Sequence, residues 1–176
     1  PTFRRNQKLQ IEFNLEITSM IYSLIRFFDS EKIDFRLDLK PHQISNFNLK
    51  FEDSRVNVID YKIDYPKIVN NYNLLITDYS SLAGDFILSR KPIIFFQSNN
   101  AVYQKLEVEL YIDFSKFSDL VAKNENELLQ ILNSIGSKDY LKAYNSFYDH
   151  FGIRESHNST TMLVDKITGI MERNQI

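Results

Sequence analysis

Two short apolar runs with a helical segment between them form the clearest pattern in the chain. Leu74–Thr77 and Ile93–Phe96 are short enough for buried strands. Between them, the apolar residues of Leu82–Ile87 recur at helical spacing, and Pro92 follows as a helix stop. Two strands joined through a helix run parallel with a right-handed crossover. The pattern therefore predicts a strand–helix–strand unit.

The rest of the chain alternates amphipathic helices with short strands. Asn124 and Glu127 form a capping-box pattern at the start of one helix, and Gly136 closes it. The other predicted helices are Phe13–Phe28, a segment that begins at Asp64, Tyr103–Leu110, Tyr140–Tyr148 and a last one from about Asn158, and the other predicted strands are Phe35–Leu39, Val56–Ile59 and Leu120–Ala122. This alternation predicts an α/β, Rossmann-like three-layer domain with a mostly parallel sheet.

A length of 176 residues suits one domain with a sizeable core. Pro1–Gln10 is polar and basic, and we predict that residues 1–12 form an N-terminal linker segment before a domain over residues 13–176. Because the first residue is Pro1 and not methionine, we expect the chain to be a piece of a longer protein.

Composition narrows the function classes. The formal net charge is -2, which implies no general affinity for polyanions, and we predict no nucleic-acid partner. There are no cysteines, which removes disulfides and thiolate metal sites and fits a cytosolic chain. No apolar run approaches the ~20 residues of a membrane span. The sequence indicates no metal site and no cofactor.

Candidate chemistry lies at the turn between the first strand and the helix of the central unit. Ser80 and Ser81 stand where the C-terminal end of a strand meets a helix N-terminus. Free backbone N–H groups and the helix dipole favour an anion there. The alternative is that Asp78 or Ser80 only caps the helix, and the spacing alone favours capping. Capping and anion binding are compatible.

The same stretch carries a resemblance to a known family. Ile-Thr-Asp-Tyr-Ser-Ser, then Asp85-Phe86, then Lys-Pro-Ile-Ile-Phe resembles the CDP-glycerol glycerophosphotransferases of teichoic-acid and capsule synthesis. Those enzymes are similar to GT-B glycosyltransferases, with two Rossmann-like halves, and the motif belongs to the C-terminal, donor-binding half. The resemblance favours phosphate binding at Ser80 and Ser81.

The resemblance also implies roles for other residues. Lys40-Pro41-His42 follows the predicted strand Phe35–Leu39 and resembles a basic-Pro-His motif whose His contacts the donor pyrophosphate. His42 is therefore the catalytic candidate. The donor-binding candidates are Lys40, His42, Asp78, Ser80, Ser81 and Asp85. Two positions depart from the family pattern: Gln43 replaces a common second proline, and Ser115–Asp119 replaces a Pro-Gly-Pro-like loop near the nucleotide.

The implied reaction is transfer of a polyol phosphate from a CDP-activated donor, CDP-glycerol or CDP-ribitol, to a wall or capsule polymer, with release of CMP. The implied acceptor site belongs to an N-terminal half that this sequence lacks, so we expect weak donor binding and no turnover. The implied location is the cytoplasm, with membrane association only through the full-length protein, at the inner face.

Three alternatives stay open. A nucleotide-sugar glycosyltransferase would share the architecture and would prefer UDP-sugars. A receiver-like signalling domain would use Asp78 and Lys91, although Lys91-Pro92 comes earlier in the chain than a receiver's pair. The third is a non-catalytic nucleotide-binding module that recruits other synthesis enzymes.

Overall fold

The computed structural model describes residues 6–40, 50–59, 69–106, 112–150 and 158–174. Helices and short parallel strands alternate in these ranges, which confirms the predicted α/β class. The elements in chain order are α1 Gln7–Ser30, β1 Leu37–Leu39, β2 Val56–Val58, β3 Leu75–Thr77, α2 Leu82–Ile87, β4 Ile93–Phe96, α3 Asn100–Leu106, a 3-10 segment Phe114–Leu120, β5 Val121–Ala122, α4 Glu125–Ser134, α5 Lys138–His150 and α6 Ser159–Asn174.

The described strands form two parallel sheets. β1 pairs with β2, and β4 lies between β3 and β5. Leu75 is opposite Ile93 and Phe95 is opposite Val121. All four residues of β4 are buried, as in a parallel sheet covered on both faces. β3, α2 and β4 are the strand–helix–strand unit that the sequence predicts.

Helix α1 begins earlier than the sequence predicts. Asn6 caps it, because its side-chain oxygen accepts a hydrogen bond from the N–H of Leu9 at 3.1 Å. The sequence predicts this helix only from Phe13 and places residues 7–12 in a linker. In the structure, residues 7–12 form the first turns of the helix. The boundary of the domain itself stays a prediction.

The core centres on β4 and a group of phenylalanine rings. Phe95 meets Phe114 of the 3-10 segment at 4.8 Å between ring centroids and Phe147 of α5 at 5.0 Å. Phe117 also meets Phe147, at 5.1 Å. Edge-on contacts of this kind stabilise a core beyond the apolar area that they bury. Residues of α1, including the buried Ile21, join the same cluster.

Local signals at the ends of α4 act as the sequence predicts. The Asn124 side chain accepts from the N–H of Glu127 at 3.0 Å, and the Glu127 carboxylate accepts from the N–H of Lys123 at 2.7 Å. Gly136 has a φ of 89°, in the left-handed region that favours glycine after a helix. The capping box and the glycine stop are both confirmed.

The last helix is confirmed as an element, and its apolar side chains lie largely in solvent. Met162 and Leu163 are 64% and 59% exposed, and Ile167 and Ile170 are also exposed. None of the described helices is long and apolar enough to cross a bilayer. The predicted helix start at Asp64 and the end of the predicted helix Tyr103–Leu110 lie outside the described residues.

Candidate functional site

The turn between β3 and α2 places two serine hydroxyls at the C-terminal end of the three-stranded sheet. Ser80 and Ser81 are both exposed. The Ser80 hydroxyl oxygen accepts from the N–H of Leu82 at 3.3 Å, so this serine takes part in starting the helix. Ser81 is the N-cap residue, and its side chain makes no capping hydrogen bond. The hydroxyls are therefore used differently: one supports the turn and the other faces solvent.

The backbone N–H groups of the first turn of α2 are already engaged. Ala83 donates to the carbonyl of Ser80 at 3.2 Å, and Gly84 donates to the carbonyl of Ser81 at 3.0 Å. The N–H of Leu82 donates to the Ser80 hydroxyl. The three backbone N–H groups that the sequence predicts to be available to an anion therefore already have acceptors within the chain. The donors left at this turn for an anion are therefore the serine hydroxyls more than these backbone N–H groups.

Asp85 lies one helical turn after Ser81, in the first turn of α2, and is exposed. Residues four apart share a helix face, so the Ser81 hydroxyl and the Asp85 carboxylate open to the same side. A carboxylate repels a phosphate but accepts hydrogen bonds from hydroxyl groups. Asp85 is therefore suited to the uncharged part of a ligand.

Asp78 and Tyr79 connect the strand to the turn. Both are half-buried. The Tyr79 ring stacks on Tyr103 of α3, with centroids 4.1 Å apart and planes only 7° from parallel. Burial, followed by the negative charge of Asp78, raises the pKa of the Tyr79 hydroxyl well above its usual value. The Tyr79 hydroxyl is therefore neutral near pH 7.

Lys40 is half-buried and directly follows β1, at the C-terminal end of the two-stranded sheet. A hydrogen bond connects this sheet to the chain that leads into β3, because the Tyr72 hydroxyl donates to Asp38 of β1 at 2.5 Å. His42 lies outside the described residues, so its catalytic role and its contact with phosphate stay predictions.

Asp38 is held by three donors. Arg36 and Asn57 donate to the same oxygen at 2.9 Å and 3.1 Å, and Tyr72 donates to the other. Burial alone would raise the pKa of Asp38, but the hydrogen bonds from Arg36, Tyr72 and Asn57 outweigh it and lower the pKa. Burial and the bond to Asp38 raise the pKa of Tyr72 to about 12. This network fixes the strand that directly precedes Lys40.

The Lys91 side chain is hydrogen-bonded to the backbone that precedes β3. Its Nζ donates to the backbone carbonyls of Val69 and Asn70 at 2.7 Å and 3.1 Å. A receiver-like domain would need this ammonium beside the Asp78 carboxylate. The contacts of Lys91 therefore argue against that alternative.

Sequence reasoning missed the residues that follow β4. Thr77 is opposite Phe95, so Gln97 comes after β4 at about the position where Tyr79 comes after β3. Gln97 is buried, and Ser98 donates to Glu16 of α1 at 2.7 Å. A glutamine directly after four apolar strand residues is the one signal that could have pointed to this place. No group of three or more His, Asp or Glu side chains in the described ranges is placed to hold a metal ion.

Known proteins that are similar to this chain are proteins of teichoic acid biosynthesis. The chain is 32% identical over 135 residues to the minor teichoic acid biosynthesis protein GgaB of Bacillus subtilis, covering 71% of this chain and 14% of that protein. It is 29% identical to the teichoic acid poly(glycerol phosphate) polymerase of Bacillus subtilis, covering 95% of this chain and 23% of the polymerase.

The polymerase of the same name from Bacillus spizizenii is 27% identical, with 96% of this chain and 43% of that protein covered. The chain thus spans less than half the length of each of these relatives. No solved structure matches it. The family model described as CDP-Glycerol:Poly(glycerophosphate) glycerophosphotransferase matches residues 1–169, and the chain belongs to this family.

Proposed function

We propose that this chain is the donor-binding part of a transferase that moves glycerol phosphate, or a similar polyol phosphate, from a CDP-activated donor to a wall polymer. The observation that carries the proposal is the family match over residues 1–169, which contains the exposed serine pair at the sheet's C-terminal edge. Ligands of open parallel sheets bind beyond that edge.

In the proposed reaction, a hydroxyl oxygen of the acceptor attacks the β-phosphorus of the donor. A new P–O bond forms, the bond between that phosphorus and the bridging oxygen breaks, and CMP leaves with the bridging oxygen. The acceptor's hydroxyl proton passes to a base. Charge builds on the phosphate oxygens during this step, so preorganised donors and cations lower the barrier.

The proposed roles follow from position and chemistry. The Ser80 and Ser81 hydroxyls donate to phosphate oxygens, since a hydroxyl that accepts one bond still has its proton to donate. His42 as imidazolium and Lys40 as ammonium offset the pyrophosphate charge. Asp78 shapes the turn, and Asp85 accepts from a hydroxyl of the polyol.

The acceptor polymer is proposed to bind mainly to parts of the protein outside these 176 residues. The relatives named as poly(glycerol phosphate) polymerases make a glycerol phosphate polymer the first candidate, with a ribitol donor as the second. We place the reaction in the cytoplasm, at the inner membrane face, because nucleotide-activated donors are cytoplasmic metabolites.

Calorimetric titration of the chain with CDP-glycerol, CDP-ribitol, CMP and UDP-glucose tests the proposal. We expect the cytidine nucleotides to bind and CDP-glycerol to bind more tightly than UDP-glucose. A preference for UDP-glucose would replace the proposal with a nucleotide-sugar glycosyltransferase, and binding of none of the four would overturn donor binding by this chain.

A further inference from the structure

A buried polar cluster lies just beyond the C-terminal ends of β3 and β4. Gln97 is only 2% exposed, and within the part of the chain that the structure describes neither its amide nitrogen nor its amide oxygen has a hydrogen-bond partner. The Tyr79 hydroxyl and the Asn99 side-chain oxygen are likewise buried without a partner there. Four unpaired polar atoms therefore belong to three residues near one end of the sheet.

Such a group is unusual in a native protein. A buried amide without partners loses its hydrogen bonds to water and gains none in return, so buried amides are almost always paired. The sheet does not require this side chain, because the Gln97 backbone N–H pairs with the carbonyl of Ala122 at 2.8 Å. A leucine or methionine would fill the same space without the unpaired atoms. A ligand contact would account for an amide at this position, and so would a bound water, which a measurement of stability distinguishes.

The cluster adjoins the turn that carries the serines. Tyr79 immediately precedes Ser80, and the pairing of Thr77 with Phe95 places Gln97 one strand across from Tyr79. A ligand whose phosphates lie at Ser80 and Ser81 would therefore lie at the same edge of the sheet as Gln97, one strand away.

We infer that Gln97 contacts the pyrimidine base of the bound nucleotide, which extends the proposed donor-binding function. A glutamine amide offers an acceptor and a donor side by side in one plane, and a pyrimidine edge offers the complementary pair. A phosphate has only acceptors and would be repelled by the amide oxygen. The uncharged, buried amide thus selects a flat, neutral partner.

The helix that follows Asn99, α3, has no buried side chain. Little apolar burial therefore holds it in place. Its Tyr103 ring stacks on one face of the Tyr79 ring, with centroids 4.1 Å apart.

The experiment compares two ligands and three proteins. Wild-type chain, Gln97→Met and Gln104→Met are titrated by NMR with CMP and with ribose 5-phosphate, which lacks the base. Gln104 is an exposed glutamine of α3 and is the matched control. We expect Gln97→Met to weaken CMP binding by roughly tenfold, the loss of two neutral hydrogen bonds, and to leave ribose 5-phosphate unchanged. Gln104→Met should change neither.

Stability separates a ligand contact from a structural one. Because the amide has no hydrogen-bond partner among the described residues, Gln97→Met should keep or raise the urea midpoint of unfolding. A lower midpoint would mean that bound water pairs the amide, and would overturn the inference.

The wild-type chain gives a test that needs no variant. If CMP binds no more tightly than ribose 5-phosphate, the base is not contacted and the inference is wrong, while phosphate binding stands. If neither ligand binds, the proposed function fails and the inference fails with it.

Discussion

The hydroxyl of Tyr140 forms two hydrogen bonds with the backbone of Ile93. It accepts from the Ile93 N–H at 3.0 Å and donates to the Ile93 carbonyl at 3.1 Å. β5 is only two residues long and pairs with β4 from Phe95 onward, so it does not reach Ile93. The hydroxyl takes the place of a strand at the buried start of β4. α5 thus completes the edge of the sheet.

Tyr140→Phe should therefore destabilise the fold. It leaves a buried N–H and a buried carbonyl unpaired, and the expected loss is about 1–3 kcal/mol of unfolding free energy. Urea unfolding measures it. Tyr144→Phe on the same helix is the matched control, because the Tyr144 hydroxyl is buried without a partner among the described residues and its removal should be neutral or stabilising. Equal losses in both variants would contradict the role given to Tyr140.

Removal of the two turn hydroxyls should weaken donor binding without unfolding the chain. In Ser80→Ala/Ser81→Ala each lost contact with phosphate should cost on the order of 1 kcal/mol, so the two together should weaken CDP-glycerol binding by roughly thirtyfold. Cytidine, which has no phosphate, should bind almost normally. Calorimetry with both ligands measures the difference.

The control for the serine variant is at the other end of the same helix. Ser89 donates to the carbonyl of Phe86 at 2.6 Å, and Ser89→Ala should leave both affinities unchanged. If cytidine and CDP-glycerol weakened equally in the double variant, the serines would be acting through the fold and not on phosphate.

His42→Ala should weaken donor binding and alter its pH dependence. An imidazolium is lost as pH rises through its pKa, ordinarily about 6.5 and higher beside a bound anion, so wild-type affinity should fall with rising pH. The variant should lose roughly 1.5–3 kcal/mol of binding at low pH and lack that decline. His150→Ala is the control, since that exposed histidine at the end of α5 packs on Phe117 of the 3-10 segment. An unchanged pH profile in His42→Ala would remove His42 from the site.

Tyr72→Phe should loosen the connection between β1 and the chain that enters β3. It removes one of three donors to Asp38, and the expected loss is about 1.5 kcal/mol at pH 7, the lower end for a bond to a charged group. Tyr22→Phe is the control, because Tyr22 is exposed and its ring contact with Phe51 survives.

The unfolding free energy that is lost in Tyr72→Phe should be smaller at acid pH than at neutral pH. The folded pKa of Asp38 lies below its usual value, so its stabilising effect is present above pH 4 and disappears as pH falls through the folded pKa. The difference between wild type and Tyr72→Phe should shrink at the acid end of a pH series of urea unfolding. A difference independent of pH would mean that the bond to the carboxylate contributes little.

The sequence by itself determined the features that depend on neighbours in the chain. The capping box of Asn124 and Glu127, the stop at Gly136 and the buried strand Ile93–Phe96 follow from side chains within a few residues. The fixed order of the motif around Ser80 and Ser81 also identified the family, which the match over residues 1–169 confirms. The early start of α1 at Gln7 was missed, because its polar first turn shows no apolar stripe.

Tertiary structure decided which polar groups find partners. Tyr140 pairs with a residue 47 positions away, and Tyr72 with one 34 positions away. Gln97, at the end of an apolar strand, is left with none among the described residues. A local sequence pattern cannot predict these hydrogen-bond partners. Hydrogen bonds are short and directional, so they depend on how elements distant in the chain pack together. The position of Ser80 and Ser81 at the turn follows from the residues next to them in the chain, so the sequence predicts it. The burial of the Gln97 amide without a partner among the described residues depends on tertiary packing and is seen only in the folded chain.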